Sequence, residues 1–236
     1  DQSELEEKAM AKKTLLAIEG LDGSGKATQA KLLAKTLAQE GIAVREVSFP
    51  DYGSDSSALV KMYLSGQFGS DPQDVNAYAA SSFFAVDRFA SFKRDWCRDY
   101  ERGIIIADRY TTSNAIHQCS KLPRQQWEPF LKWLFDFEYE KLGIPSPDLV
   151  IYLSVDPQVS QQLMTRRYSG DESKKDIHER DRGYLSRSQA AARFCADHLG
   201  WKTVECCRDG AMRSIEDIHR EIQGLLQEAI LKNEEE

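Results

Sequence analysis

A glycine-rich stretch ending in a lysine is the part of the sequence best suited to bind phosphate. It follows an apolar run with strand character and opens an amphipathic run with helical character, the context that a phosphate-binding loop requires. Glycines let several backbone N–H groups converge on one anion, and a helix N-terminus adds partial positive charge. The predicted phosphate contacts are Gly20, Asp22, Gly23, Ser24, Gly25, Lys26, Ala27 and Thr28, with Lys26 against the β- and γ-phosphates of a donor.

One position of this loop departs from the usual pattern. Ser or Thr commonly follows the lysine and its hydroxyl binds Mg²⁺, but here Ala27 follows and Thr28 comes one residue later. Consecutive helical residues point about 100° apart, so Thr28 cannot take over the same contact. Because Mg²⁺ keeps several waters in such sites, we expect a water in place of the hydroxyl.

Three further stretches carry residues suited to nucleotide chemistry. Phe49–Ser54 follows the second predicted strand, Ser82–Arg88 lies within a long predicted helix, and Asp108–Asn114 follows the third predicted strand. Ligands of open α/β sheets collect at the carboxyl ends of the strands, so we expect the loops after the first three strands, among them Phe49–Ser54 and Asp108–Asn114, to open toward one crevice. Aromatic faces there suit a base, and guanidinium forks suit phosphate oxygens.

Residues 166–182 are dense in charge and have little apolar periodicity. A solvated loop is the simpler interpretation. A lid that closes over phosphates is the functional one, because a lid needs polar and basic residues. The basic candidates are Arg166, Arg167, Lys174 and Lys175.

Short apolar runs alternate with amphipathic stretches, which predicts an α/β fold with a five-stranded parallel sheet flanked by helices. The strands are expected at Thr14–Glu19, Ala43–Phe49, Gly103–Ala107, Leu149–Val155 and Trp201–Cys206. The main helices are expected at Lys26–Glu40, Asn76–Tyr100, Trp127–Leu142, Ser186–Leu199 and Ser214–Leu231. We expect one domain over 13–232, between an N-terminal arm (1–12) and an acidic tail (233–236).

Charge and composition narrow the class of protein. The 236 residues carry a formal net charge of −7, a poor basis for nucleic-acid binding. The five cysteines are irregularly spaced, which favours neither a disulfide framework nor a zinc site. No apolar run approaches the roughly 20 residues of a membrane-spanning helix. We therefore expect a cytoplasmic protein that binds neither nucleic acid nor membranes.

Taken together, these motifs resemble those of thymidylate kinases, from about Thr14 to Leu231. That family has a Glu-Gly-x-Asp-Gly-x-Gly-Lys loop, a Phe-Pro turn, a helical Phe-x-x-x-Arg and an Asp-Arg-Tyr-x-x-Ser run. The matching residues here are Glu19 to Lys26, Phe49-Pro50, Phe84 to Arg88 and Asp108 to Ser113. The resemblance implies a P-loop nucleoside monophosphate kinase that uses ATP and Mg²⁺ to phosphorylate dTMP, for dTTP synthesis, and that forms homodimers.

The resemblance also implies roles for individual residues. Phe84 stacks on thymine, Arg88 grips the acceptor 5′-phosphate, and Arg109 lies between the donor and acceptor phosphates. Asp108 positions Mg²⁺ through water, and Arg167 supplies charge from the lid. The remaining substrate contacts are Asp22 to the sugar 3′-hydroxyl, Phe49 and Tyr52 beside the nucleotide, and Ser113, Asn114 and Gln118 toward the base, with Asn114 the preferred reader.

Two alternatives stay open at this point. A deoxynucleoside kinase also uses a phosphate loop and an Asp-Arg motif, but its acceptor is uncharged, and Arg88 favours a phosphorylated one. A nucleotide-binding homologue with weakened catalysis is favoured by Ala27, whereas Lys26, Asp108 and Arg109 disfavour it.

Overall fold

The computed structural model describes residues 13–169, 171, 176–180 and 183–232. Its centre is a parallel five-stranded sheet with the strand order β2-β3-β1-β4-β5, followed by a short antiparallel hairpin of β6 and β7. The strands are β1 (Thr14–Gly20), β2 (Val44–Ser48), β3 (Ile104–Asp108), β4 (Leu149–Ser154), β5 (Lys202–Glu205), β6 (Cys207–Arg208) and β7 (Ala211–Met212). The five strands predicted from apolar runs are confirmed, each to within one residue at either end.

Helices cover both faces of this sheet. They are α1 (Lys26–Gln39), α2 (Ala58–Leu64), α3 (Ala77–Ser91), α4 (Cys97–Tyr100), α5 (Thr111–Cys119), α6 (Trp127–Phe135), α7 (Pro157–Tyr168), α8 (Ile177–Arg180), α9 (Tyr184–Leu199) and α10 (Ile215–Lys232). A π-helical turn, Phe92–Trp96, joins α3 to α4, and a second, Asp136–Lys141, extends α6. The long helices expected over residues 76–100 and 127–142 are therefore present, each with a π-helical turn.

Local sequence explains where several helices begin and end. Asn76 caps α3 by accepting a hydrogen bond from the Ala79 N–H at 2.9 Å. Asp156 caps α7 in the same way, directly before Pro157 in the first turn. α9 ends at Gly200, whose φ of 70° is a left-handed conformation that favours glycine.

Apolar side chains cover both faces of the sheet, as its continuous apolar strands require. On one face Leu16 and Ile18 of β1 pack with Leu33 of α1 and Ile222 of α10. On the other face Leu15 and Ala17 pack in a cluster that includes Trp96. Each fully buried aliphatic side chain contributes about 1.5–3 kcal/mol, so β1 is held firmly between two layers. The loop after β1 therefore begins at the end of a firmly packed strand.

Two expectations about local structure were wrong. Residues from Thr111 onward form helix α5, and Arg166 and Arg167 lie in the last turn of α7 rather than in a loop. Both segments are polar and lack the apolar spacing that signals a helix, so tertiary contacts decide their structure. Lys174, Lys175, the arm 1–12 and the tail 233–236 lie outside the described residues. Among the helices that are described, none has both the length and the apolar composition to cross a bilayer.

Candidate active site

A cleft of about 530 Å³ lies at the carboxyl edge of the sheet. Its walls come from the loops after β1, β2 and β3, together with α3, α5, the end of α7 and the start of α9. Every predicted site residue except Gly20 and Ser24 lines this cleft. Residues nearly a hundred positions apart in the chain are thus brought to one place, as the rule for open α/β sheets predicts.

The loop after β1 depends on glycine for its shape. A Cβ atom at Gly20 would lie 2.5 Å from Ser24 Oγ and 3.1 Å from the Leu153 carbonyl oxygen, so a side chain there would require Ser24 to change rotamer and the backbone to shift slightly. Gly25 precedes α1 in a left-handed conformation, with a φ of 89° and no side-chain cap. The first N–H groups of α1 are therefore not covered by a capping side chain, and Gly25, Ala27 and Thr28 line the cleft.

Lys26 is largely buried at the start of α1, where its ammonium donates to the Leu21 carbonyl oxygen at 3.3 Å. Burial, reinforced by repulsion from Arg109, lowers the pKa of Lys26 to about 8. Nearby carboxylates of Asp22, Glu19 and Asp108 act in the opposite direction but do not compensate. The lysine is therefore a cation whose charge is poorly neutralised by the protein and available to an anionic ligand.

Arg109 connects the phosphate loop to α5. It donates to Asp22 at 2.8 Å and to Ser113 at 3.3 Å, and it lies 3.6 Å from the buried Glu19 carboxylate. Burial of Asp22 opposes its ionisation, but Arg109 and Lys26 outweigh this and lower the pKa of Asp22 to about 2. The φ of 68° at Arg109 is unusual for a residue with a side chain, and such strain is typical of functional sites.

Glu19, at the end of β1, ties the phosphate loop to α5. It is completely buried. One oxygen accepts from the Gly20 N–H at 3.1 Å, and the other accepts from the hydroxyls of Thr112 at 2.9 Å and Ser113 at 2.8 Å. Sequence reasoning identified Glu19 only as part of a motif, because its partners lie more than 90 residues away.

The structure corrects the expected position of Arg88. This residue is 2% exposed, and its Nε and Nη2 donate to the buried Glu138 carboxylate at 2.7 and 3.2 Å. The two N–H groups that would form a fork on a phosphate are therefore already used within the protein. Arg88 lines the cleft beside Asn114, whose amide also donates to Glu138 at 3.2 Å.

Aromatic and histidine side chains close one side of the cleft, and sequence reasoning missed most of them. Phe84 lines the cleft and meets Tyr63 edge to face, with ring centroids 6.1 Å apart. His117 stacks on Tyr184, with centroids 5.6 Å apart, and the Tyr184 hydroxyl contacts His117 Nδ1. His178 contacts Tyr184 and Tyr63. Phe84 was predicted from the sequence, whereas Tyr63, His117, His178 and Tyr184 were not.

The hydrogen bonds of His117 determine its tautomer. Arg109 can only donate, so Nε2 of His117 accepts from it at 3.2 Å. Burial and the charge of Arg109 hold the pKa of His117 well below its usual value, so the ring is neutral. Its proton therefore lies on Nδ1, the ring nitrogen that contacts the Tyr184 hydroxyl. This contact connects α5 to α9 across the cleft.

The basic segment expected to act as a lid contributes one described cation to the cleft. Arg167 lines it, as do Tyr168, Asp176 and His178. Arg166 lies in the same helical turn and is likewise exposed, but it is not among the lining residues. Of the two arginines, Arg167 is the one positioned to reach a ligand.

The cleft joins a phosphate loop with a buried lysine to an aromatic wall that is large enough for a nucleobase, and Arg109 lies between the two. These features define a P-loop nucleotide kinase. Comparison with known proteins narrows this class. The thymidylate kinase family model matches residues 18–222. The chain is 31% identical over 180 residues to a thymidylate kinase of Mycobacterium tuberculosis, covering 75% of this chain and 82% of that protein. It is 29% identical over 213 residues to one of Caenorhabditis elegans, covering 86% of each.

The fold also matches that of a solved structure. Thymidylate kinase from Candida albicans superimposes with a TM-score of 0.67 at 21% identity, covering 92% of each chain. The chain therefore belongs to the thymidylate kinase family. The reaction of that family is transfer of the γ-phosphoryl group of ATP to dTMP, which makes the chain an ATP:dTMP phosphotransferase and disfavours a deoxynucleoside kinase.

Proposed function

We propose that this chain phosphorylates dTMP to dTDP in one direct in-line step from ATP-Mg²⁺, without a phosphoenzyme, and so supplies dTTP synthesis. One observation carries the assignment of roles: a single cleft joins Lys26 and the phosphate loop to Phe84 and Asn114, and Arg109 contacts both walls. Phosphoryl transfer needs positioning and charge neutralisation rather than a nucleophilic side chain. These residues supply both.

The donor phosphates bind at the phosphate loop. Lys26 and the first N–H groups of α1 surround the β- and γ-phosphates, because the lysine is buried there and those groups line the cleft. Arg167 adds charge from α7. Arg109 bridges the transferring group, for which a planar guanidinium is better suited than an ammonium. Gly20 and Ser24 belong to the same loop and determine its shape.

Mg²⁺ fits this site as an ion held mainly by phosphate oxygens and water. Among the described residues, no three His, Cys, Asp or Glu side chains converge on one point. Asp108 lines the cleft close enough to Lys26 and Arg109 to influence the pKa of both, whereas Ala27 offers no hydroxyl. We assign Asp108 to hold metal-bound water. When bound, Mg²⁺ neutralises phosphate charge.

The acceptor binds on the α3 and α5 side. Phe84 stacks on thymine, and Asn114 reads the base edge. Gln118 is the second reader, because it is 1% exposed and its amide forms no hydrogen bond of standard geometry with the described residues. Ser113 donates to Glu19, so it supports Arg109 more than it reads the base. We place Arg88 beside the base of the acceptor, not beside its 5′-phosphate as the sequence predicted.

The sugar of the acceptor lies between the loops after β1 and β2. Asp22 contacts its 3′-hydroxyl as an ionised acceptor, consistent with its low pKa. Tyr52, which is 52% exposed and lines the cleft, packs beneath the deoxyribose. Phe49 supports this wall from the core, where it is 4% exposed.

Acceptor choice tests the proposal. We expect kcat/KM to be highest for dTMP, lower for dUMP, and very low for dCMP, dGMP and AMP, in a coupled assay for ADP. Thymidine serves as the control for a deoxynucleoside kinase. Equal rates with AMP and dTMP would contradict the assignment. ATP binding without turnover on any acceptor would instead favour the weakened homologue.

We also propose that the chain forms a homodimer through an exposed apolar face of α3 and α6. Tyr78 and Val86 are 43% and 41% exposed on α3. Trp133 lies 4.7 Å from Tyr78 and 5.1 Å from Phe137, between ring centroids. Sedimentation should show that Val86→Glu shifts the protein to monomer, whereas Leu231→Glu, at another exposed apolar position, does not. A wild-type monomer at micromolar concentration contradicts this proposal.

The cytoplasmic location stays a prediction of the sequence. All five cysteines are free, which agrees with a reducing compartment. Fractionation of the cells that produce the protein would test the location directly.

A further inference from the structure

Glu138 lies directly behind the base end of the cleft, and the proposed reaction gives it no role. It is completely buried on the π-helical turn after α6. Its carboxylate accepts from Arg88 Nε at 2.7 Å, Arg88 Nη2 at 3.2 Å, Thr111 Oγ1 at 2.9 Å and Asn114 Nδ2 at 3.2 Å. Arg88 and Asn114 line the cleft, whereas Glu138 does not. Glu138 therefore acts on a ligand only through these neighbours.

Glu138 determines which atom of the Asn114 amide faces the ligand. A carboxylate can only accept hydrogen bonds, so the amide nitrogen must point toward it. The second N–H of this nitrogen donates to the Ser81 carbonyl oxygen at 3.1 Å. Both N–H groups of Asn114 are thus used, and only Oδ1 remains for a ligand. Asn114 presents an acceptor.

The Glu138 carboxylate also determines which hydrogen-bonding group of Arg88 remains for a ligand. Its bonds to the described residues use Nε and Nη2, so Nη1 is the guanidinium nitrogen left for the cleft. Arginine has no acceptor, so this edge presents a donor. Arg88 Nη2 and Asn114 Nδ2 share the oxygen Oε2 of Glu138, which places the two side chains next to each other. The base end therefore presents one donor beside one acceptor.

This pair matches one kind of pyrimidine edge. Thymine has an acceptor at O4 beside a donor at N3–H, whereas cytosine has an amino donor beside an unprotonated N3 acceptor. We propose that Glu138 is a positioning residue for base selection, which makes the enzyme accept thymine and reject cytosine by fixing the orientations of Asn114 and Arg88. The inference rests on the proposed phosphorylation of dTMP.

The ratio of kcat/KM for dTMP to that for dCMP tests this role, because a purely structural residue would change both values together. In Glu138→Gln an amide N–H₂ replaces one oxygen and cannot accept from Arg88 or Asn114. We expect the ratio to fall by about tenfold or more. Glu140→Gln is the matched control, since Glu140 is exposed on the same turn, and its ratio should equal that of wild type.

Glu138→Gln also leaves the Arg88 charge unpaired in the interior, which can prevent folding. Glu138→Asp provides the second variant, because it keeps the charge but withdraws both oxygens by one methylene. We expect it to fold, by circular dichroism, and to lose discrimination. The loss should add only in part to that of Asn114→Ala in a double-mutant cycle, since Glu138 acts through the Asn114 amide as well as through Arg88.

Four results would overturn the inference. A folded Glu138→Asp with the wild-type ratio would do so, as would equal losses on both acceptors or fully additive effects with Asn114→Ala. A wild-type enzyme that phosphorylates dTMP and dCMP equally would also overturn it, while leaving phosphoryl transfer intact. A wild type inactive on dTMP would instead refute the proposed function itself.

Discussion

Raising the pH should weaken ATP binding over a range that the position of Lys26 determines. Burial and the neighbouring Arg109 lower the pKa of Lys26 to about 8 in the free protein. Bound phosphates favour the charged lysine, so ATP binding raises this pKa and takes up a proton when the free lysine is neutral. Affinity is therefore greatest below about pH 8 and falls as the pH rises above it.

The size of the effect follows from the charged fraction. A group with a pKa of about 8 is roughly 90% charged at pH 7 and roughly 10% charged at pH 9. If ATP binds only the charged form, its apparent affinity falls about ninefold to tenfold between these values, or roughly 1.3 kcal/mol. Three neighbouring cleft groups keep the same charge over this range: the pKa of Asp22 is about 2, that of His117 is lowered, and that of Arg109 is raised.

Calorimetric titration of ATP without acceptor measures this effect. Two buffers with different heats of ionisation give the number of protons taken up, which should approach one near pH 9. Lys26→Arg is the matched control, because its charge persists through this range and its affinity should be flat. An unchanged wild-type affinity from pH 7 to 9, or the same decline in Lys26→Arg, would refute the reasoning.

Five further substitutions, at four positions, give distinct expectations. Arg109→Ala should lower kcat by about 10³ or more with little change in ATP binding, and Arg109→Lys should restore little; a kcat within threefold of wild type would rule out the bridging role. Ala27→Thr should lower the Mg²⁺ concentration for half-maximal rate by no more than roughly tenfold, whereas Asp108→Asn should raise it far more; an inert wild type switched on by Ala27→Thr would contradict the water-filled site. Gly20→Ala should lower the melting temperature and weaken ATP binding, since its Cβ would meet Ser24 Oγ at 2.5 Å, and unchanged values of both would show that the loop accommodates the methyl group.

The sheet and the phosphate loop could be predicted because their signals are local. β3 and β4 are continuous apolar runs, and the loop of Gly20 to Lys26 is contiguous in the chain. The order of the strands and the two covered faces follow from general rules for α/β proteins. The family motifs then placed most cleft-lining residues correctly.

The errors arose where a side chain depends on a partner far along the chain. Arg88 matched a motif, but its orientation is set by Glu138, 50 residues later, and nothing near either residue signals the pair. α5 was read as a loop, because Thr111, Thr112 and Ser113 are weak helix formers that here bond to buried carboxylates. His178 and Tyr184 lie in segments without apolar periodicity, so only the folded chain shows that they reach the cleft.

The buried Glu19 carboxylate has a consequence for how nucleotides exchange. Because it holds the Gly20 N–H and two hydroxyls of α5 at once, pulling the donor loop away from the acceptor helix would strip three hydrogen bonds from an interior charge. These two walls therefore move as one rigid block. The aromatic wall of Tyr63, His178 and Tyr184 is instead held by ring contacts and by neutral hydrogen bonds, such as that between the Tyr63 hydroxyl and His178 Nε2 at 2.9 Å, which cost less to break than bonds to a buried charge. We therefore expect the cleft to open at this aromatic wall, while the phosphate loop and α5 keep the same geometry relative to each other from one turnover to the next.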